Sequence, residues 1–313
     1  MKKIFKPFIF GLLTLVASAG VYFNQTNIIS FNSDDVVVTE KQEATHTSNY
    51  SDYTYSGSYY DSIDITSLTN NVGGTLRKAL TSLAYPKGWH EYYTDATGTL
   101  SDKLQKSDAD PDNNSNMIYF YTRNSVAKTY SNGGSSWNRE HVWCQSLSGS
   151  SSSSSNNLYG ESYGGSDIHH IRPAIGSYNS LRSNAAFGVT YGPKSGMKTI
   201  AHENGGYNYI TGNVIEPVDE IKGDIARIVM YMYMHYSSSI ANDGSKYSFL
   251  GTMNIHFIMA PNRSTDCFKM LRDWNAIDPV DDYERNRNEV AFRKQGNRNP
   301  FIDHPSYADK IWG

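Results

Sequence analysis

The sequence is short of several things, and each shortage narrows what the protein is. It has two cysteines in 313 residues, Cys144 and Cys267. That is too few for a cysteine-based structural zinc site, so the fold stands on its hydrophobic core. Whether the two pair is open, because sequence does not place their Cα atoms within bridging distance. No long apolar run follows the N-terminus, and no internal repeat is visible. Hydrophobic residues make up 38% and charged residues 19%; Tyr, Ser and Asn fill the gap, with 24 tyrosines. The net charge of −3 lacks the basic excess of a tight, sequence-specific DNA binder. An enzyme that touches only a few phosphates needs no more than a local basic patch.

What is present begins at the N-terminus. Lys2, Lys3 and Lys6 precede an apolar stretch from Phe8 to Val16, and Ala17-Ser18-Ala19 is a small-x-small cleavage site. This pattern predicts a secretory signal peptide over 1–19 and a secreted product; an uncleaved segment would instead tether the chain to the cell surface. Cleavage removes three of the 28 basic residues and no acid, leaving 25 against 31 acids, a net charge near −6. Residues 20–62 are rich in Ser, Thr, Asn, Tyr and Asp, and Thr45 to Tyr60 contains no aliphatic residue. They read as a flexible arm before a folded domain over 63–313.

Within that domain, Leu76, Leu80 and Leu83 share one face of a helix predicted from Thr75 to Ala84. Asp108 to Asn116 reads as a polar loop and Met117 to Thr122 as a buried strand. Trp137 to Gln145 is strand-like, and the serine tract Ser148 to Ser155 is a loop. Asp167 to Ile171 alternates like a short strand; Pro173 then suits the first turn of a helix reaching Asn184. Glu216-Pro217 opens a core helix that carries Ile221, Ile225, Ile228, Met232 and Tyr236 at three- and four-residue spacing. Phe268 to Ile277 and Asp281 to Lys294 are further amphipathic helices, and Gln295 to Pro305 is an ordered loop. The class is α+β, mainly helical around a small sheet.

One constellation carries chemistry. Arg139-Glu140-His141 closes one strand, and Asn179 lies on the helix after the next. A strand–loop–strand–helix unit brings them around one cation. A carboxylate and an amide oxygen are hard ligands that suit Mg²⁺, Mn²⁺ or Ca²⁺, and Mg²⁺ keeps several waters, so two protein ligands suffice. His141 is then free to act as general base on water.

Four blocks extend this reading: WNREHVWCQS, DIHHIRPAIGSYNSLRSNAAFG, EPVDEIKGDIARIVMYM and QGNRNPFIDHP. In this order they resemble the endonuclease I family of bacterial secreted and periplasmic nucleases, over about residues 65–308. The resemblance implies a ββα-metal (His-Me finger) site with His141 as general base and Glu140 and Asn179 as metal ligands. Arg182, three residues beyond Asn179, is a candidate for phosphate contact, with an ion pair as the alternative. It also implies a monomeric enzyme that cuts DNA and RNA with little sequence preference, leaving 5′-phosphates; Bacillus-type members include extracellular ribonucleases. This chain departs from the family in having Cys144 where Pro often follows EHVW, and His169-His170 where some members have His-Asn. The serine tract also replaces a longer loop, so a leaving-group arginine is not assigned by that route.

Other residues carry competing readings. His141, His169 and His170 invite a zinc hydrolase, but adjacent strand residues point to opposite faces and do not readily share an ion. Structural roles suit His169 and His170 better, with Asp167 orienting one of them. Glu216 reads as a dipole partner at a helix start. Arg285, Arg287, Arg293, Lys294 and Arg298, interleaved with acids, read as a solvated helix face; Arg298 is expected to hold its loop by hydrogen bonds. Tyr231 and Tyr233 belong to a core helix rather than to a base-stacking platform. A non-catalytic surface-binding protein on a nuclease scaffold is the remaining alternative.

Overall fold

The computed structural model describes residues 57–69, 74–84, 99–129, 137–144, 166–190, 196–212, 214–236, 259–260 and 267–313. The predicted signal peptide, most of the predicted arm and the serine tract lie outside the described residues. The chain is α+β, with helices packed around small sheets.

Helix α1 spans Thr75–Ala84 as expected. Leu76 and Leu80 are buried, and Thr69 Oγ1 accepts from the Thr75 amide at 2.9 Å, satisfying one of the donors a helix start leaves open. Helix α2 is Thr99–Ser107. Strands β1 (Asn116–Ile118) and β2 (Ser125–Ala127) form an antiparallel ribbon. The strand predicted over 117–122 therefore stops at Ile118. Arg123, at φ 58°, folds the chain back, its amide donating to Tyr119 O at 2.8 Å. The apolar content of Tyr119 to Thr122 reflects burial in a turn, not strand pairing.

Strands β3 (Trp137–His141) and β4 (Ile171–Ile175) pair antiparallel, with Glu140 opposite Arg172 and His141 opposite Ile171. Helix α3 follows directly as Gly176–Arg182. The predicted strand over 167–171 and the helix from Pro173 to Asn184 are thus corrected. Residues 167–170 form a turn, Pro173 lies inside β4, and the helix is shorter at both ends. A two-stranded ribbon leaves each strand an open edge, where proline's missing N–H is tolerated. Its carbonyl still accepts from the Phe120 amide at 2.9 Å.

Strands β5 (Ala186–Gly188), β6 (Lys198–Ala201), β7 (Tyr207–Thr211), β8 (Val214–Glu216) and β9 (Met259–Ala260) make a mixed sheet in the order β6-β7-β8-β5-β9. Between β8 and β9 runs α4, Lys222–Tyr236. Ile225 to Met232 of α4 are all buried, so this helix is buried on every side rather than amphipathic. It packs against α1, α5 (Cys267–Ile277) and α7 (Pro300–Asp303). Glu216 ends β8 instead of opening the helix: one of its oxygens accepts from the Thr190 amide at 2.7 Å and hydroxyl at 2.8 Å.

Helix α6, Asp282–Gln295, starts on Asp281, whose side chain accepts from the Glu284 amide. It ends on Gly296, at φ 82°, a left-handed cap that favours glycine. The loop expected over 295–305 contains α7, capped by Asn299 with Pro300 at its first position. Helix α8 is Tyr307–Trp312.

Two corrections concern polar side chains. The basic cluster of α6 is not wholly a solvated face: Arg287 and Arg298 are buried. Arg287 binds Asp108 at 3.0 Å, and Arg298 makes a two-pronged pair with Asp303 at 2.7 and 2.8 Å. The arm also ends earlier than expected: Tyr60 is buried and donates to Asp303 at 2.7 Å. Cys144 and Cys267 are both buried and are not bridged.

Candidate active site

The site grows from the direct step of β4 into α3. That step lays the helix over β3, and the pleat of β3 sends Asn138 and Glu140 to one face. Asn179 and Arg182 stand three apart on α3 and so share a helix face. That face meets the Asn138/Glu140 face: Asn179 Nδ2 donates to Asn138 Oδ1 at 2.9 Å, and Arg182 Nη1 lies 3.2 Å from Glu140 Oε1. The structure thus brings together Glu140, Asn179 and Arg182.

Asn179 is held by one edge. Its Nδ2 also donates to the Arg139 carbonyl at 3.1 Å. Both amide protons have acceptors, so Oδ1 faces away from them.

Glu140 is held in the same manner. It is 1% exposed, and its Oε1 accepts from the Tyr121 hydroxyl at 2.8 Å as well as facing Arg182. Burial raises the carboxyl pKa above the ordinary range, while Arg182 and Tyr121 pull it back. Oε2 takes no hydrogen bond among the described residues.

Arg182 is not at the surface. It is 2% exposed, with Nη2 donating to Val142 O at 2.9 Å and Nη1 to His141 O at 3.2 Å. Nη1 also contacts Cys144 Sγ, and the guanidinium lies 4.8 Å from the Phe187 ring centroid. Burial works against its charge, but Cys144, Tyr121 and Glu140 outweigh that and keep it protonated. The same burial pushes the Cys144 thiol pKa up. Arg182 therefore clamps the segment after β3 and Glu140 together.

His141, the last residue of β3, is half-buried and leaves the strand on the face opposite Glu140. Its ring centroid lies 5.5 Å from that of His170.

Of the histidines considered for zinc, His170 lies beside His141 and His169 points elsewhere. His169 is buried against Tyr231, at 4.6 Å between ring centroids, with Nε2 3.3 Å from Asn297 O. Burial lowers its pKa to about 4, so it is neutral. Asp167 accepts from Tyr231 Oη, Gln295 Nε2 and the His169 amide. Among the described residues no three His, Cys, Asp or Glu side chains gather to hold a metal.

Sequence reasoning missed Tyr121, which lies in a turn before β3, and the Asp108–Arg172–Arg287 cluster beneath β4. An aromatic run and scattered arginines give no signal of these partners.

Comparison with known proteins places these residues in a wider context. The Endonuclease I family model matches residues 66–306. An extracellular ribonuclease of Bacillus subtilis (strain 168) is 41% identical over 216 residues, covering 67% of this chain and 66% of that protein. An extracellular ribonuclease of Bacillus amyloliquefaciens is 38% identical over 239 residues, covering 74% and 69%. An extracellular deoxyribonuclease of Aeromonas hydrophila is 28% identical over 141 residues, covering 44% and 49%. The match thus spans just under two thirds of the Bacillus subtilis protein.

Proposed function

This chain belongs to the Endonuclease I family, and from that premise we propose that it is a secreted, metal-dependent, non-specific nuclease cutting DNA, RNA or both. One observation carries the metal assignment. Glu140 and Asn179 are each tied down through one atom of the side-chain head group, with Glu140 Oε2 and Asn179 Oδ1 left over among the described residues. A carboxylate oxygen and an amide oxygen are hard ligands that fit Mg²⁺, with Mn²⁺ or Ca²⁺ as substitutes, and not a soft or nitrogen-seeking ion. When bound there, the cation supplies charge stabilisation to the phosphate and its leaving oxygen.

The strand pleat supports a division of roles. Adjacent residues diverge, so His141 addresses a different side of one phosphate from Glu140. His141 takes a proton from water as the water oxygen bonds to phosphorus. The bond from phosphorus to the 3′ oxygen breaks, leaving a 5′-phosphate and a 3′-hydroxyl that takes its proton from solvent. The base lies on a ββα unit in this reading, with Arg182 positioning Glu140 rather than touching phosphate.

Substrate contact through phosphates rather than base edges accords with weak sequence preference. Secretion is supported by the extracellular relatives, and no helix of the described residues is long and apolar enough to cross a membrane. The direct test is digestion of plasmid and total RNA with Mg²⁺ and with EDTA, by wild type and His141→Ala. Smearing that needs both metal and His141 is expected. Binding without turnover would instead favour a non-catalytic scaffold.

A further inference from the structure

We propose that Tyr121 is the positioning residue that turns Glu140 toward the cation, an inference that rests on the metal-dependent reading above. Tyr121 belongs to neither β3 nor α3. It sits in the buried turn after β1, 1% exposed, and its hydroxyl donates to Glu140 Oε1 at 2.8 Å. Arg182 approaches that same oxygen at 3.2 Å. With both contacts on Oε1, the carboxylate does not rotate about its last bond without losing them, and Oε2 is the oxygen presented.

The hydroxyl acts from a fixed base. The Tyr121 carbonyl accepts from Asn208 Nδ2 at 2.9 Å, and that amide also donates to Ile200 O at 3.1 Å, tying the turn to β6 and β7. The neighbouring Phe120 amide donates to Pro173 O at 2.9 Å, tying it to β4. Tyr121 is thus anchored to both sheets that flank the site.

Tyr121 and Arg182 differ in what they do for Glu140. Arg182 carries a full charge that competes with a cation for the carboxylate, and it also serves the carbonyls of His141 and Val142. The phenol is neutral. It orients the carboxylate and leaves its charge for the cation, as outer partners of metal ligands do.

The test is Mn²⁺ binding to the full-length protein, read from the loss of the free-ion electron paramagnetic resonance signal, in wild type, Tyr121→Phe and Glu140→Gln. Thermal unfolding of each in EDTA is measured alongside. Tyr121→Phe keeps the ring and its packing and removes one oxygen. It should bind Mn²⁺ roughly ten- to hundredfold more weakly while unfolding in EDTA close to wild type. Wild-type affinity in Tyr121→Phe, with binding lost in Glu140→Gln, overturns the inference alone. A metal-free unfolding temperature that falls together with affinity assigns Tyr121 a structural role and overturns it too. Wild-type binding that survives Glu140→Gln overturns the metal assignment itself, and the inference with it.

Discussion

Asn179 Nδ2 donates to Asn138 Oδ1 at 2.9 Å, so a helix residue is locked to the strand that ends in His141. The bond fixes which end of the Asn179 amide is available, and the proposed metal site rests on that orientation. Asn179→Ala removes both the oxygen and the lock. It is expected to weaken Mg²⁺-dependent cleavage by at least the roughly 10- to 100-fold that partners of metal ligands are worth, in part recoverable at high Mg²⁺. A Mg²⁺ titration of initial rate that matches wild type contradicts this.

His141→Ala is expected to lower the cleavage rate by about 10²- to 10⁴-fold, the usual range for a general base. His141 is half-buried at a strand end, so unfolding by urea should change little. A variant with near wild-type turnover sinks the assignment; one that loses its circular dichroism leaves the base role to be tested with His141→Gln.

Binding through phosphates predicts a salt signature. kcat/KM should fall steeply between about 50 and about 200 mM salt, with the same slope for unrelated sequences. Different slopes for two sequences of equal length point to base readout.

His169 predicts a pH dependence of stability. Burial lowers its folded pKa from 6.5 to about 4, so the unfolded chain takes up the proton first. Its contribution is therefore intact above about pH 6.5 and lost as pH falls toward 4, on the order of 3 kcal/mol in all. Urea unfolding of wild type and His169→Gln at pH 7 and pH 4.5 isolates it from the carboxylates. Wild type should lose more stability than the variant; equal losses refute the point.

Arg298 predicts stability without chemistry. Its two-pronged pair with Asp303 is buried, and Asp303 also receives the Tyr60 hydroxyl. Arg298→Ala leaves a buried carboxylate short of its partner and should cost about 3 to 5 kcal/mol. Per-molecule activity of the folded fraction should stay near wild type, as judged by rate against folded fraction in urea.

The helices were legible in the sequence where apolar spacing is regular. The α1 bounds agree with the spacing of Leu76, Leu80 and Leu83; α6 agrees within a residue with the helix read over Asp281 to Lys294, although its buried face is mostly polar. The turn at 167–170 and the strand through Pro173 were not, because Asp167 to Ile171 alternates like a strand whichever partner it finds, and proline's helix-start preference yields to an open strand edge. That the helix carrying Asn179 meets the strand carrying Glu140 was legible, but not how each side chain is held, because Tyr121 and Asn138 act through contacts that no local pattern encodes. Arg182 shows the limit most clearly. Sequence places it one turn from Asn179, and only packing shows that its guanidinium faces inward, toward Glu140 and Cys144.

The measurement that tests the central claim most directly is the metal dependence of cleavage in wild type and Glu140→Gln. Purified protein would be given plasmid and total RNA over a range of free Mg²⁺, with EDTA as zero. The account predicts digestion in wild type that EDTA abolishes and Mg²⁺ restores, and little or none in Glu140→Gln at any Mg²⁺ concentration. Wild-type digestion that persists in EDTA, or Glu140→Gln cutting at the wild-type rate and Mg²⁺ midpoint, would contradict it.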